Sequence, residues 1–203
     1  MASFAQGSQF SLRWSLSAEA EADAALRPGQ TRVSDLRGRF AWGERVLVPD
    51  ATRETIDALV DTSPTDRHIL GAVKSAGIRV LVTRNVHDFG YGDLGEARVS
   101  AVHPDLFLSV MLDDAGYRES LEVMAGSRTR QPNTPEEMHA ALAASHPLLF
   151  RAMRGVYPSV EALPSTSEPP SEVFCGNRCL ACGKVLRDPE SLRLGVGPEC
   201  RRS

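Results

Sequence analysis

The sequence has no apolar run that approaches the roughly 18–20 residues needed to span a membrane, which excludes a membrane-spanning protein. Its first twenty residues have neither a basic start nor a continuous apolar stretch, so no secretory signal is expected there. With 42% apolar residues, 24% charged residues and a net charge of −3, the composition is that of a globular chain. We therefore expect a cytoplasmic protein, in a compartment where thiols stay reduced.

Lysine and cysteine are both scarce and unevenly placed. Only 2 of the 23 basic residues are lysines, and the first 174 residues contain no cysteine. All four cysteines fall in the last 29 residues, where six Lys/Arg against three Asp/Glu give a charge of +3, so the rest of the chain, at −3 minus +3, carries −6. The length of 203 residues suggests one domain of ordinary size, called the body below, and this appendage, called the tail.

The tail cysteines are spaced as ligands of a metal ion, in the pattern Cys175-x3-Cys179-x2-Cys182-x17-Cys200. Two thiolates with two residues between them bind one tetrahedral ion because the turn points both sulfurs the same way, and Gly183 eases that turn. Disulfides are disfavoured in a reducing compartment, and a redox pair lacks the surrounding βαβ pattern. We predict Zn²⁺ bound by all four cysteines. The offset of Cys175 from the pair is irregular, which leaves the fourth ligand open.

The body alternates segments that favour helix and strand. Residues 78–83 (IRVLVT) form a continuous β-branched apolar run, typical of a strand buried on both faces, and residues 97–102 (ARVSAV) are a second candidate strand. Helices are predicted over 15–26, 31–41 and 53–60, and from a start at Ser63-Pro64-Thr65-Asp66 with Ser63 as N-cap. This order predicts an α/β fold with a mostly parallel sheet. Further helices follow, then a Pro-rich linker over 158–174.

Two carboxylates stand out in the body. Asp66 lies at the start of a predicted helix, and Asp88 lies in the loop after the buried strand, where open α/β sheets bind ligands. Carboxylates gathered there would repel one another unless a hard cation neutralised them, so a cluster would imply Mg²⁺ or Mn²⁺. The alternatives are that Asp66 caps its own helix and that Asp88 is an ordinary loop residue.

Several of these segments resemble a known family. The stretch TDRHILGAVKSAGIRVLVTRNVHDF, followed by VSAVHPDLFLSVML, is similar to the second half of a PIN domain of the VapC-type toxin group, which has the pattern DxxHxLAAAxxxxAxxIVTxNxxDFP and then a PDxFL helix. Trp14-Ser15 with the following AEAEADAAL resembles that group's WSxxxxxE helix. The similarity covers about residues 8–115, and residues 116 to about 156 resemble the C-terminal helices of some of these toxins.

The resemblance implies a PIN-like parallel sheet flanked by helices and the activity of a metal-dependent endoribonuclease. It places metal ligands at Glu21, Asp66 and Asp88, with Glu19 as the rival of Glu21 if the register slips. Thr83 and Asn85 match the TxN positions that line the site. The implied cofactor is Mg²⁺ or Mn²⁺, which activates water and stabilises charge on the scissile phosphate. The implied partners are RNA, a cognate antitoxin protein and a second copy in a homodimer.

One departure from the family concerns its first strand, an apolar run that ends in an aspartate (hhhDAxVL). That strand should precede residue 8, and MASFAQGSQF contains neither the strand nor an acidic residue. Without it, an N-terminally truncated sheet would expose unpaired backbone and lose one carboxylate. Either the true start lies upstream, or the protein is a degenerate relative that binds without cutting. A smaller departure is Gly90, which replaces the family's proline after the DF dipeptide.

The tail resembles a different, uncharacterised bacterial family with the pattern CxxCGxxLxDPxSxxxGxGPxC, which supports three of the four cysteines. The predicted organisation is a PIN-like domain (1–115), C-terminal helices (116–157), a linker (158–174) and a zinc-binding tail (175–203). The leading function is a ribonuclease of a toxin–antitoxin pair. The alternative is a catalytically inactive protein that binds nucleic acid or protein through its zinc tail. A structural cap is an equally open role for the tail.

Overall fold

The computed structural model describes residues 10–35, 47–161 and 172–201. The predicted helix over 31–41 falls mostly outside these ranges. The helices are α1 (Leu16–Ala24), α2 (Arg53–Asp57), α3 (Arg67–Ser75), α4 (Tyr91–Ala97), α5 (Pro104–Met111), α6 (Asp114–Gly126), α7 (Pro135–Ser145), α8 (Pro147–Ala152) and α9 (Pro189–Leu194). The strands are β1 (Trp14–Ser15), β2 (Leu47–Val48), β3 (Val80–Val82), β4 (Ser100–Val102) and β5 (Phe174–Cys175), and single 3₁₀ turns cover Val86–Asp88 and Pro198–Cys200.

The strands form two small sheets. In one, β1 and β2 pair in parallel; in the other, β4 lies between β3, which is parallel to it, and β5, which is antiparallel. Mixed α/β architecture with parallel pairing is therefore confirmed. The expectation of a single sheet is not met within the described residues, because the β1–β2 pair and β3 are not hydrogen-bonded to each other. The third strand of the larger sheet comes from the tail.

Local signals explain most helix ends. Ser15 caps α1 and accepts a hydrogen bond from the Ala18 N–H, and Thr134 caps α7 in the same way from Glu137. The predicted N-cap of α3 is wrong: the helix begins three residues later, with Asp66 as N-cap. The Ser63 hydroxyl is hydrogen-bonded to the Thr65 hydroxyl at 2.9 Å instead of to a backbone N–H, so residues 63–66 form a turn.

Both predicted strands of the larger sheet are shorter than expected. The first is confined to Val80–Val82, and only its middle residue is fully buried. The second begins at Ser100 because Ala97 ends α4, and Arg98 then reverses the chain in the left-handed conformation (φ 58°). The loop expected after β3 contains both the 3₁₀ turn and α4.

Two apolar clusters form the core. One surrounds α3, β3 and α4, with Leu59, Leu70 and Leu94 fully buried. The other packs α5–α8 against β4 and takes in four tail residues: Cys179, Leu180, Leu186 and Val196. The tail is thus part of the larger core. None of the helices in the described ranges has the length and apolar character to cross a membrane.

Two buried carboxylates tie distant segments together. Asp105, which has no exposed surface, accepts hydrogen bonds from the N–H groups of Leu148 and Leu149 at 2.9 and 2.8 Å and so fixes the start of α8. Asp93, in the first turn of α4, accepts from three consecutive N–H groups, those of residues 60–62, at 2.8–3.2 Å. Burial acts to raise the pKa of Asp93, but the hydrogen bonds from Thr62 and its neighbours outweigh it and hold the pKa below 3.8.

We expect Asp93→Asn to lower the free energy of unfolding at pH 7 by about 1–3 kcal/mol, since an amide replaces one acceptor with a donor that faces N–H groups. Because the folded-state pKa is depressed, this contribution is fully present above pH 3.8 and is lost as the pH falls through the folded-state pKa. Urea unfolding of the wild-type protein and of Asp93→Asn, at pH values from 7 to below 3.8, measures the difference in their free energies of unfolding. The control is Asp57→Asn, whose side chain is 60% exposed; an equal loss there, or a gap independent of pH, would contradict the assignment.

Candidate active site and metal centre

A cavity of about 200 Å³ is bordered by residues of β1, β2 and β3. Its lining includes Ser15 at the end of β1, Val48 at the end of β2 and Thr83 just after β3. The carboxyl ends of these strands therefore border one edge of the same cavity, although the strands belong to two sheets, and ligands of α/β proteins bind outside the carboxyl ends of strands. We call the four carboxylates on the segments around this edge the acidic edge: Glu21, Asp50, Asp66 and Asp88.

Asp66 and Asp88 lie on segments that are joined through Ser63. The Ser63 N–H donates to the Asp88 carbonyl at 2.8 Å, and the Asp66 N–H donates to the Ser63 carbonyl at 2.9 Å. The carboxylate of Asp66 makes no capping hydrogen bond to α3 and accepts instead from the Thr65 hydroxyl at 2.7 Å. That of Asp88 lies 3.4 Å from His87 Nε2. Both side chains are thus partly exposed and free of a backbone-capping role.

Glu21 reaches the same region from α1. Its Oε1 lies 3.1 Å from Nε2 of His68, in the first turn of α3, and 59% of the side chain is exposed. Glu19, the rival in register, is buried and accepts a hydrogen bond from the indole N–H of Trp14 at 2.8 Å. The geometry therefore directs Glu21 towards α3 and gives Glu19 a structural partner.

Asp50 is a member of the acidic edge that the sequence analysis missed. It lies two residues after β2, and Oδ1 accepts from the hydroxyl of Ser17 at 2.7 Å. Hydrogen bonding by Ser17 outweighs burial and, with smaller contributions from Ser15 and the charge of His68, lowers the pKa of Asp50 below 3.8. The available signal was its place after the apolar run at 46–48, at the carboxyl end of a strand.

Thr83 and Asn85 form the turn that leaves β3. The Thr83 N–H continues the ladder to the Val102 carbonyl at 2.9 Å, and the Asn85 N–H donates to the Thr83 hydroxyl at 3.1 Å. Asn85 is exposed, and Thr83 lines the cavity described above. Both residues therefore lie between the strand and Asp88, at the acidic edge.

The carboxylates of the acidic edge do not converge on one point. Within the described ranges, a single group of three or more His, Cys, Asp or Glu has all its ligand atoms within 4.8 Å of one another, and it is the cysteine group of the tail. Carboxylates are the donors that Mg²⁺ and Mn²⁺ prefer. In this arrangement, however, Glu21, Asp66 and Asp88 do not form a closed set around one ion.

The cysteine group consists of Cys179, Cys182 and Cys200. Cys179 and Cys182 flank a tight turn, in which the Gly183 N–H donates to the Cys179 carbonyl at 2.8 Å and Gly183 takes a positive φ of 75°. Cys200 arrives from the opposite side on a 3₁₀ turn. Three sulfurs at this separation fit three corners of a tetrahedral zinc site, and their cavity of about 260 Å³ leaves access for a fourth donor.

The backbone around Cys179 favours its thiolate. Burial acts to raise the pKa of Cys179, but hydrogen bonds from the N–H groups of Gly197, Cys182 and Ala181 and from the Cys182 thiol together lower it to about 7. The pKa of Cys200 is raised to about 11, first by its hydrogen bond with Cys182 and then by burial. A thiolate supported by N–H groups is the form that a metal ion binds.

Cys175 lies outside this group, so the structure does not bring the predicted fourth ligand together with the other three. It belongs to β5, opposite Ala101 of β4, and its thiol points to the carbonyl of Phe89 at 3.7 Å. Burial, followed by the charge of Glu172, raises the pKa of Cys175. Cys175 thus belongs to a strand, which explains why its spacing from the Cys179–Cys182 pair does not follow a metal-ligand pattern.

Two basic side chains of the tail form ion pairs within it. Lys184 lies 2.9 Å from Glu199, and Arg201 lies 2.7 Å from Glu190. The guanidinium of Arg178 donates to the Gly183 carbonyl. Two of the six basic residues of the tail are therefore in ion pairs, and the net charge of +3 already includes their acidic partners.

Comparisons with known proteins give two separate matches. Residues 169–203 match a family model described as a family of unknown function, DUF6011. Over 124 residues the chain is 29% identical to VapC50 of Mycobacterium tuberculosis strain H37Rv, a protein named provisionally as a ribonuclease; the match covers 59% of this chain and 67% of that protein. No solved structure gives a significant match. The first match agrees with the three clustered cysteines, and the second agrees with the resemblance of the body.

We expect Cys182→Ser to lower zinc affinity by at least about tenfold, whereas Cys175→Ser leaves it unchanged, because Cys182 belongs to the cysteine group and Cys175 does not. Metal content after dialysis, and the thiolate-to-metal absorbance of the Co²⁺-substituted protein, measure this. Equal loss of metal in the two variants would show that Cys175 is a ligand after all.

Proposed function

We propose that the body is a ribonuclease that cleaves RNA at the acidic edge. The observation that carries the proposal is that the three predicted acidic residues all connect to the start of α3. Asp66 is its N-cap, Asp88 is joined to it through Ser63, and Glu21 meets His68 in its first turn. The distant similarity to VapC50 supports the same reaction.

Charge decides what this reaction needs. An RNA phosphate and several carboxylates repel one another, so the substrate can approach the acidic edge only when a cation offsets the charge. The donors are oxygens, which suit a hard ion, and we expect cleavage to require Mg²⁺ or Mn²⁺. The ion would lower the pKa of a water molecule and offset charge on the phosphate. Asp66, Asp88 and Glu21 would supply the carboxylates, and Thr83 and Asn85 would line the site where the RNA binds.

The resemblance to VapC-type toxins extends the proposal to a partner. We propose that a small antitoxin protein binds the body and that cleavage is suppressed in that complex. The tail, in turn, would hold Zn²⁺ through Cys179, Cys182 and Cys200, for which the sulfur positions and the N–H groups around Cys179 are suitable.

A second candidate is a catalytically inactive protein that binds nucleic acid or protein through its zinc tail. It is favoured by one observation: within the described residues the cysteines are grouped as metal ligands, whereas the carboxylates are not. A nucleic acid would have to compete with Glu199 and Glu190 for Lys184 and Arg201.

We expect the purified chain to cleave single-stranded RNA in Mg²⁺ or Mn²⁺ and to lose that activity in EDTA. Asp66→Asn and Asp88→Asn should each lower the cleavage rate by about 100-fold or more, the lower end of what a group acting in a transition state contributes. A time course with end-labelled RNA measures the rates.

The matched control is Asp57→Asn, an exposed carboxylate of α2 that pairs with Arg53 and should leave the rate unchanged. Cleavage that survives in both Asp66→Asn and Asp88→Asn would refute their roles. No cleavage by the wild-type chain, together with RNA binding that is lost in Cys182→Ser, would favour the second candidate.

A further inference from the structure

The edge of β4 that faces away from β3 is occupied by the tail. Ala101 pairs with Cys175 and Val102 with Phe174, and the His103 N–H donates to the Val173 carbonyl at 2.8 Å. These hydrogen bonds extend a sheet of the body with the last two residues of the predicted linker and the first residue of the tail, which lie 70–74 positions further along the chain.

The contact continues to the first residue of the cysteine group. The hydroxyl of Ser100, which is 1% exposed, donates to the Arg178 carbonyl at 3.2 Å and accepts from the Arg178 N–H at 3.3 Å. Arg178 immediately precedes Cys179. An ion that restrains Cys179 would therefore also restrain the Arg178 backbone, which is hydrogen-bonded to Ser100.

Close packing supports the same connection. Gly176 takes a φ of 140°, and a Cβ atom there would lie 2.6 Å from the Ser100 hydroxyl and 2.9 Å from its Cα. Leu180 and Val196, which lie between Cys179 and Cys200 in the chain, are buried in the cluster that contains Val102. The tail has no room to move away from β4 without opening this cluster.

The other end of the contact reaches the acidic edge. The Cys175 thiol contacts the carbonyl of Phe89, the residue after Asp88, and β4 is paired with β3, which leads into Thr83. A continuous series of contacts thus runs from the cysteine group through Arg178, β4 and β5 to the segment that carries Asp88.

We propose that the tail is a metal-dependent clamp on the body: an ion held by Cys179, Cys182 and Cys200 keeps Arg178 and β5 on β4, and so stabilises the larger sheet and the Asp88 segment. The inference rests on the proposed zinc site but is independent of any nuclease activity. Metal binding and folding are coupled because Cys200 is 18 positions from Cys182 in the chain and only the folded tail brings their sulfurs together.

The two tryptophans of the chain, Trp14 and Trp42, both belong to the body in sequence, so fluorescence reports the body's unfolding and not the tail's. We expect removal of zinc by a chelator to lower the midpoint temperature of fluorescence-detected unfolding by about 5 °C or more, and added zinc to restore it. In Cys182→Ser the midpoint should be low and insensitive to zinc.

Hydrogen exchange locates the effect. Zinc removal should speed exchange of the His103 amide, which donates to Val173, by about tenfold or more. The Ile56 amide, which donates to the Thr52 carbonyl at 3.0 Å at the start of α2, should change much less. Equal acceleration at both amides would indicate a general loosening and would overturn the clamp.

Gly176→Ala tests the contact without altering a cysteine. The added methyl group should displace β5 from Ser100, so the variant should still bind one zinc ion while the midpoint of the body no longer depends on it. The control is Gly29→Ala, which also places alanine at a positive φ (85°) but meets no atom within 4 Å; it should keep the zinc-dependent shift.

The failures are distinguishable. If the wild-type chain binds no zinc, the zinc site and the clamp both fall. If it binds one zinc ion but its fluorescence midpoint moves by less than about 1 °C on removal, the site stands and the clamp alone is refuted. Loss of RNA cleavage bears on neither result.

Discussion

The buried strand β4 imposes the constraint on which the rest of the structure depends. All three of its residues, Ser100–Val102, are buried, so every N–H and C=O group of the strand requires a hydrogen-bond partner from the protein. β3 supplies one side, and β5 with Val173 supplies the other. Backbone hydrogen bonds thus contribute to the attachment of the tail to the body, in addition to the buried tail side chains.

A second constraint is the electrostatic repulsion between the carboxylates of the acidic edge. Carboxylates of like charge are held on separate segments by neutral or opposite partners: Asp66 by Thr65, Asp50 by Ser17, and Glu21 by His68. The segment over 60–62 is fixed from both sides, because its N–H groups donate to Asp93 and two of its carbonyls accept from Arg67. This framework positions the start of α3 without drawing the carboxylates together, an arrangement expected where their mutual repulsion is unscreened.

The sequence allowed prediction of those features that depend on local patterns. The apolar run at 78–83 located β3, and the Cys179–Cys182 spacing located the cysteine group. Asp50 and His68 escaped notice because their partners lie 33 and 47 positions away, and no local pattern encodes such a contact. β5 escaped because two residues beside a Pro-rich stretch carry no strand periodicity.

Cys175 lies between two groups of side chains with different donor chemistry, the thiols of the cysteine group and the carboxylates of the acidic edge. Soft thiolates suit zinc and hard carboxylates suit magnesium, and Cys175 lies between the two sites, with its thiol against the carbonyl of Phe89. Burial raises its pKa, so it stays a neutral thiol at physiological pH. A neutral thiol adds no negative charge beside Asp88, and its place in β5 keeps Cys175 outside the cysteine group. The strand that joins tail to body can thus cross from one site to the other without supplying a ligand to either.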